Sequence, residues 1–293
     1  MALKRSRVPQ SVHRRQLAVR FRELREASGM TLTEVAGRIE VNQGSLSRIE
    51  NGERGVSAVL ARALMDCFGV DDAARRDELL DLVRVDKEQQ RPWWRRYASV
   101  LTSTRYDGYL AWEAGAAALN SYQPMLVPGL LQTEDYARAV IGQMRSELGS
   151  AEVDDLVTVR MKRQHDRLDG ERPATLWALL DEAVLHRTIG SRQVMADQAR
   201  RLLAASEKPN VTVQILPFAL GAHPGLYGPF VILSFPDTTP DLVWLENPKN
   251  SGYLDAEADV QDYRAIFDQL CVCALSPSET RTRISQMTEE FHP

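Results

Sequence analysis

The chain is poor in cysteine and contains no long apolar run. Its 293 residues include only three cysteines, too few for the disulfide framework of a small secreted domain. No stretch of about eighteen apolar residues occurs, so the sequence predicts no membrane-spanning helix. The basic N-terminus is not followed by an apolar segment, and we therefore expect no signal peptide. These absences favour a protein of the reducing cytoplasm that has no membrane partner.

The sequence motifs of common cofactor and metal sites are also missing. The chain has no phosphate-binding P-loop, no dinucleotide fingerprint and no HExxH zinc motif. Cys271 and Cys273 are two positions apart in a predicted helix, which turns their thiols to different faces, so a shared metal ion is not expected. The sequence predicts neither a cofactor nor a metal.

Charge is distributed unevenly along the chain. The net charge is -4, yet residues 1–62 hold 12 Lys/Arg against 6 Asp/Glu, a net of +6, which leaves -10 for the remainder. A basic head on an acidic body is typical of a nucleic-acid-binding domain joined to a second domain. An uneven but fully solvated surface is the alternative explanation.

The N-terminal third predicts five short helices. Apolar residues recur at helical spacing over about 12–28, 31–39, 42–51, 58–68 and 73–85. Thr31 and Glu34 have the spacing of a capping box at the start of the second helix. Only a tight turn at Glu40-Val41 separates the second helix from the third. The pattern predicts an all-α domain over 12–85 that contains a helix-turn-helix.

The third helix has the features of a DNA recognition helix. Asn42 is a favourable N-cap, and we expect its side chain to accept the backbone N–H near Ser45. Leu46 and Ile49 give the helix one narrow apolar edge, and Gly52 follows its end. So short an apolar edge cannot hold the helix alone. It must dock on its neighbours and present its polar face to solvent.

These segments resemble the lambda and 434 repressor-like (XRE) helix-turn-helix family. The resemblance rests on Leu24–Thr31, Glu34–Ala36 and Ser45–Gly52. It implies that the family's ion pair, which ties the first helix to the end of the recognition helix, is Arg25 with Glu50. By the same matching, the positions near phosphates or the groove edge are Leu32, Thr33, Asn42, Ser45 and Asn51.

The resemblance places Gln43, Gly44 and Arg48 in base-facing positions. Gln43 can bond adenine N6 and N7, and Arg48 can bond guanine N7 and O6, each through two hydrogen bonds. Gly44 departs from the family, whose members often carry a base-reading side chain there. A glycine gives up a contact or allows a closer approach of the backbone, so the operator cannot be copied from relatives.

The remaining chain predicts a second domain over 93–293. The polar segment 86–92 is predicted to be a linker before this domain. Residues 1–11 are predicted to form a basic arm. Short β-branched or aromatic runs predict strands among longer helical patterns. These runs lie at 174–180, 211–216, 230–235 and 242–246. We therefore expect an α+β domain with a small, mostly antiparallel sheet.

This second part resembles the large, poorly characterised C-terminal domain of antitoxin-like XRE regulators from actinomycetes. The resemblance implies a transcriptional regulator, often encoded beside a small partner protein, and no established activity for the domain. The matching segments are Tyr122–Pro124, Val127–Arg138, Arg160–Gln164, Asp181–Arg187 and Val213–Pro217.

An enzymatic role rests on one group of residues. Asp181 and Glu182 near His186 could do acid–base chemistry. However, a structural ion pair between Glu182 and Arg187 is the favoured interpretation. His223 lies in a Gly/Pro-rich loop, where it either gates a pocket or is simply solvated.

The predicted effector or partner surface of the second domain comprises Tyr122, Pro128, Glu182, His186 and His223.

The sequence favours a cytoplasmic DNA-binding regulator that is not an enzyme. Dimerisation is expected because one short helix reads few bases, and a two-fold operator doubles that number. The expected partners are a double-stranded operator, a second copy of the chain and a small protein encoded nearby. Two alternatives stay open: an enzyme with a DNA-binding head, and an antitoxin-like protein that mainly binds a small protein partner.

Overall fold

The computed structural model describes residues 12–89, 92–101, 106–236, 239–246 and 252–291. The predicted basic arm, 1–11, lies outside the described residues. The chain divides into two compact units. The first comprises the residues up to Arg96 together with Asp107–Gly115 and Phe235–Thr239, and the second comprises Tyr97–Tyr106, Ala116–Ser234 and the residues from Pro240 onward.

Helices and strands alternate in the second unit but not in the first. In chain order the helices are α1 (Val12–Ala27), α2 (Leu32–Arg38), α3 (Gln43–Glu50), α4 (Ala58–Cys67), α5 (Ala73–Gln89), α6 (Ala98–Leu101), α7 (Tyr106–Gly115), α8 (Glu134–Met144), α9 (Ser150–Gln164), α10 (Ala183–His186), α11 (Arg192–Ala205), α12 (Glu257–Cys273) and α13 (Pro277–Phe291). The strands are β1 (Ala118–Gln123), β2 (Thr175–Asp181), β3 (Val211–Leu216), β4 (Phe230–Ser234), β5 (Leu242–Leu245) and β6 (Gly252–Leu254). None of the described helices is long and apolar enough to cross a membrane.

The first five helices confirm the predicted all-α N-terminal region. The apolar face of each helix packs into a common core, where Phe21, Leu46 and Met65 are almost fully buried. The capping box that Thr31 and Glu34 predict is present at the start of α2. The short α2 and α3 gain their stability from this common core, because isolated helices of this length are marginal in water.

The turn between α2 and α3 is as tight as the sequence predicts. Glu40 has a φ of 53°, in the left-handed region that non-glycine residues seldom adopt. The backbone N–H of Val41 then donates to the carbonyl of Ala36 at 3.0 Å, which closes the turn. As a result, α3 follows α2 within a few residues, in the arrangement of a helix-turn-helix.

Further contacts extend the first unit beyond the predicted helices. Helix α5 runs to Gln89 and so enters the segment 86–92, which reads as a linker in the sequence. Asp86 is buried there and pairs with Arg14 of α1, with Nη2 and Oδ2 3.2 Å apart. Helix α7 also packs on α1, because a Cβ on Gly115 would lie 2.6 Å from Cγ2 of Val12.

The second unit is organised around one mixed sheet. Six strands of the described chain lie in the order β3-β2-β1-β4-β5-β6. Strands β1, β2 and β3 are parallel, whereas β4 pairs antiparallel with β1 and β5, and β5 with β6. The expectation of a small, mostly antiparallel sheet is therefore wrong. The unpredicted β1 lies inside the sheet, and the crossover through α8 and α9 makes β2 parallel to it.

One face of this sheet is covered by α12. Phe267 of α12 shares a core with Tyr122 of β1 and Leu179 of β2. Tyr122 is the register partner of Leu179, and side chains alternate along a strand, so Asp181 lies on the same face. Because β1, β2 and β3 are parallel, their carboxyl ends lie at one edge of the sheet, where α/β folds commonly bind ligands.

Candidate functional site

Helix α3 carries the three predicted base-facing residues on one exposed surface. Gln43, Gly44 and Arg48 are all exposed. On the opposite edge, Leu46 and Ile49 are each only 2% exposed and anchor the helix in the core. The Nε of Arg48 lies 3.3 Å from the carbonyl oxygen of Gly44, one turn back. A groove of DNA can therefore reach this face without disturbing the core.

The start of α3 explains the glycine at position 44. Asn42 is the predicted N-cap, and the backbone N–H near Ser45 that its Oδ1 accepts is that of Gly44, at 2.9 Å. A Cβ at position 44 would lie 3.1 Å from that oxygen, a tight contact. Glycine therefore leaves room for the cap, which is a structural reason for its presence in the recognition helix.

Arg25 and Glu50 form a two-pronged ion pair. The Nε of Arg25 donates to Oε1 of Glu50 at 2.8 Å, and Nη2 donates to Oε2 at 3.0 Å. The hydrogen bond to Glu50, opposed by burial, raises the pKa of Arg25 above its ordinary value. Because both charged groups are largely shielded from solvent, this pair fixes the end of α3 on α1.

Two arginines that the sequence analysis did not single out also hold α3. The Nη2 of Arg22 donates to the carbonyl of Glu50 at 2.6 Å and to Oδ1 of Asn51 at 3.0 Å. From the loop after α3, Nη1 of Arg54 donates to Oγ of Ser45 at 2.7 Å. Arg22 lies three residues before Arg25 on α1, a same-face spacing that could have indicated its role.

The positions predicted near phosphates are not equivalent. Thr33, Asn42 and Asn51 are exposed, and Ser45 is half-buried. Leu32 is also half-buried and packs on the N-terminal core, so its side chain does not face solvent as a phosphate contact would. Its backbone N–H lies in the first turn of α2, where helices leave amide groups without partners within the helix.

In the second unit, four of the five candidate effector residues lie in two pairs, Tyr122 with His223 and Glu182 with His186. The rings of Tyr122 and His223 have their centroids 6.3 Å apart and meet edge to face. Nε2 of His223 also lies 3.6 Å from Oδ2 of Asp181. The loop after β3 thus carries His223 back to the carboxyl ends of β1 and β2.

Pro128 takes no part in that group. It is buried and precedes a 3₁₀ turn, Gly129–Leu131, whose first and last carbonyls accept hydrogen bonds from side chains of neighbouring helices. Gln164 of α9 donates to the first at 2.8 Å, and Gln198 of α11 donates to the last at 2.8 Å. Residues 128–131 are therefore largely part of the interior.

Glu182 is engaged in a structural contact, but not with the predicted partner. Its Oε1 accepts Nε of Arg283, from α13, at 2.8 Å, and its Oε2 accepts the backbone N–H of Phe218 at 2.7 Å. The predicted pair with Arg187 is therefore wrong, because α13 brings a different arginine to the carboxylate. His186 lies at the edge of this group, with Nε2 3.7 Å from Oε1.

This arrangement predicts a pH-dependent contribution of Glu182 to stability. Burial raises the pKa of Glu182, but the hydrogen bond from Phe218 and the pairing with Arg283 outweigh it, so the pKa lies below its ordinary value. A lowered pKa in the folded state stabilises the fold above the ordinary pKa of glutamate, and the contribution is lost as the pH falls through the lowered pKa. Glu182→Gln is expected to lower the free energy of unfolding by about 2 kcal/mol at neutral pH.

Urea unfolding of both proteins between about pH 7 and pH 3 tests this expectation. The difference between wild type and Glu182→Gln should shrink towards zero at the acidic end. The exposed Glu207→Gln serves as the control and should show little difference at any pH. A difference that stays constant over the whole range would contradict the ionic contribution.

In comparisons with known proteins, two family models match different parts of the chain. The model of a family described as Domain of unknown function (DUF5753) matches residues 106–286, more than half of the chain. A model described as Helix-turn-helix domain matches residues 16–79 and thus includes α2, α3 and the Arg25–Glu50 pair. No curated protein and no solved structure matches the chain. The chain therefore belongs to the DUF5753 family and joins that domain, whose function is unknown, to an XRE-like helix-turn-helix domain of the kind found in DNA-binding regulators.

Proposed function

We propose that the protein is a sequence-specific transcriptional regulator that binds its operator as a homodimer. Its C-terminal domain receives a small ligand or a protein partner, and this event controls DNA binding. The proposal assigns no catalytic role to Glu182, because Arg283 and the backbone of Phe218 already occupy its carboxylate.

One observation carries the DNA-binding part of the proposal. The exposed face of α3 combines an amide at Gln43 with a guanidinium at Arg48, one to two turns apart on a helix that is capped by Asn42 and anchored at its end by Arg25. An amide suits adenine and a guanidinium suits guanine in the major groove. Helix anchoring matters because base contacts require side chains in fixed positions, and Arg22, Arg25 and Arg54 supply it.

The small size of this reading face supports dimerisation. With glycine at position 44, each α3 offers only Gln43 and Arg48 as long polar side chains in base-facing positions. Two such helices on a two-fold operator double the number of bases that are read. A ligand or partner that changes the spacing between two recognition helices would then shift the protein between bound and released states.

Replacing Arg48 with alanine tests the assignment of the groove-facing surface. Operator affinity is expected to fall by about 1–3 kcal/mol, and discrimination at one base position should relax, because a bidentate contact to guanine is lost. The operator is first selected from a random DNA library with the wild-type protein. Fluorescence anisotropy then measures affinity for each base at every position, and sedimentation counts the chains on each operator.

Arg75→Ala is the matched control, since it removes the same charge from an exposed position near the start of α5. It should weaken binding much less and leave the base preference unchanged. Equal operator affinity of Arg48→Ala and wild type would overturn the assignment of α3. A single chain bound to each operator would overturn the proposed dimer and leave that assignment intact.

A further inference from the structure

Two buried polar atoms at the carboxyl end of the parallel strands have no hydrogen-bond partner in the part of the chain that the structure describes. Among the residues that the structure describes, neither Oη of Tyr122 nor Nδ1 of His223 takes part in a hydrogen bond. Tyr122 is fully buried, and the side chain of His223 is only 6% exposed. A buried polar group without a partner costs roughly 1–3 kcal/mol, so such groups in a native fold commonly mark a function.

A carboxylate completes this group. Asp181 lies on the same sheet face as Tyr122, and its Oδ2 is 3.6 Å from Nε2 of His223. Its other oxygen accepts the backbone N–H of Ala183 at 2.8 Å, which fixes the orientation of the carboxylate. We call Tyr122, Asp181 and His223 the carboxyl-end cluster.

The chemistry of the carboxyl-end cluster favours a ligand that donates hydrogen bonds. The carboxylate of Asp181 favours the proton on Nε2 of His223, so that in the neutral ring Nδ1 is an acceptor. The hydroxyl of Tyr122 can also accept, and burial, together with the charge of Asp181, raises its pKa, which keeps it from ionising. The cluster thus offers acceptors beside one negative charge. A primary ammonium group supplies three N–H donors and the compensating positive charge.

The loop that carries His223 also exposes large apolar side chains. The loop after β3 exposes Phe218, Leu226 and Tyr227, which are 56%, 62% and 97% accessible. The same loop closes on the cluster, because a Cβ at Gly225 would lie 2.6 Å from Cζ of Tyr122. Exposed apolar patches are common sites of contact with ligands or other proteins.

We propose that the carboxyl-end cluster binds the primary ammonium group of a small ligand whose apolar body lies against Phe218, Leu226 and Tyr227. This inference rests on the proposed control of the protein through its C-terminal domain and names the class of ligand that exerts it. It is tested on the full chain without DNA, so a failure of operator binding does not affect the result.

The probe is 2-phenylethylammonium, which carries an ammonium on a short apolar body. Its controls are 2-phenylethanol, which is neutral, and 3-phenylpropionate, which carries a negative charge. At about pH 8, where histidine is ordinarily neutral, titration calorimetry measures affinity, and NMR of histidine labelled at Cε1 reports on His223. The ammonium should bind and shift the His223 signal, the alcohol should bind at least about tenfold more weakly, and the carboxylate should not bind.

Two substitutions separate binding from folding. Asp181→Asn is expected to weaken ammonium binding by about tenfold or more, whereas Asp262→Asn, at an exposed position on α12, should leave it unchanged. Tyr122→Phe keeps the ring against Gly225 but removes the hydroxyl. It should weaken ammonium binding several-fold without lowering the thermal midpoint of the free protein, because the lost hydroxyl has no partner among the described residues.

Three results would overturn the inference. These are an unmoved His223 signal at saturating ammonium, equal binding of 3-phenylpropionate, and unchanged ammonium affinity in a folded Asp181→Asn variant. If Asp181→Asn does not fold, Tyr122→Phe decides the question. A large loss of stability in Tyr122→Phe would show that the hydroxyl serves the fold, and this result too would contradict a ligand-binding role.

Discussion

Replacing Gln198 with methionine is expected to destabilise the C-terminal domain by about 2–4 kcal/mol. Gln198 is only 1% exposed on α11, where its Oε1 accepts the backbone N–H of Thr133 at 2.8 Å and its Nε2 donates to the carbonyl of Leu131 at 2.8 Å. Methionine fills nearly the same volume but can replace neither hydrogen bond. Two backbone groups beside the start of α8 would then be buried without partners.

Urea unfolding followed by circular dichroism measures this loss. The matched control is Gln193→Met on the same helix, where the exposed glutamine bonds the side chain of Asp197. Its effect should stay within about 0.5 kcal/mol, as is usual for surface substitutions. Equal stability of Gln198→Met and Gln193→Met would contradict the role of Gln198 as the hydrogen-bond partner of the backbone before α8.

The second large effect is expected at Glu50. Glu50→Ala should lower the free energy of unfolding of the N-terminal domain by about 3 kcal/mol, because it leaves the guanidinium of Arg25, only 16% exposed, without its carboxylate. Glu50 is itself only 9% exposed and lies on the core side of α3. Operator affinity should nevertheless fall, since α3 loses its attachment to α1. Thermal unfolding and fluorescence anisotropy measure the two losses on the same samples.

Glu23→Ala is the matched control, because it removes an exposed carboxylate from α1. It should change neither quantity appreciably. Arg25→Ala and the double variant complete a double-mutant cycle. Its coupling energy measures the interaction between Arg25 and Glu50. A Glu50→Ala variant with normal stability but weak operator binding would mean that Glu50 acts at the DNA, contrary to its place in the structure.

Local signals in the sequence were sufficient to predict the N-terminal helices. Each begins or ends at a strong signal, such as the capping box at Thr31 or the cap at Asn42, and each has an apolar stripe of helical period. What the sequence could not provide was the partner of each polar group. Arg22, for example, reaches the end of α3 from α1, because such contacts depend on how helices pack.

The sheet was predicted less well, for two separate reasons. Strand β1 was missed because Asn120 and Ser121 interrupt any apolar alternation. The parallel order of β1, β2 and β3 was missed because it depends on pairing across the long crossovers. Four of the strands were found, since their β-branched and aromatic runs are bounded by turn residues. Local pattern thus located strands but not their neighbours.

The candidate sites show the same limit. Tyr122 and His223 are predicted from their sequence context. They lie about a hundred positions apart, and nothing in that context indicates that they meet each other and Asp181 in the fold. Pro128 belongs to the same predicted surface, yet the structure buries it. Here, the glutamine side chains of α9 and α11 satisfy the backbone of that stretch, which allows it to be buried.

The contact between Gly44 and the cap of α3 limits how the operator preference of this protein can be changed. Any larger residue at position 44 would add a base-reading side chain, but its Cβ would crowd Oδ1 of Asn42. Residues 42 and 44 are therefore expected to vary as a pair among natural relatives and in libraries selected for new operators. In a library that randomises only Gln43, Gly44 and Arg48, most substitutions at position 44 would destabilise the fold. Including position 42 in the library, with serine and threonine as smaller caps, removes that restriction.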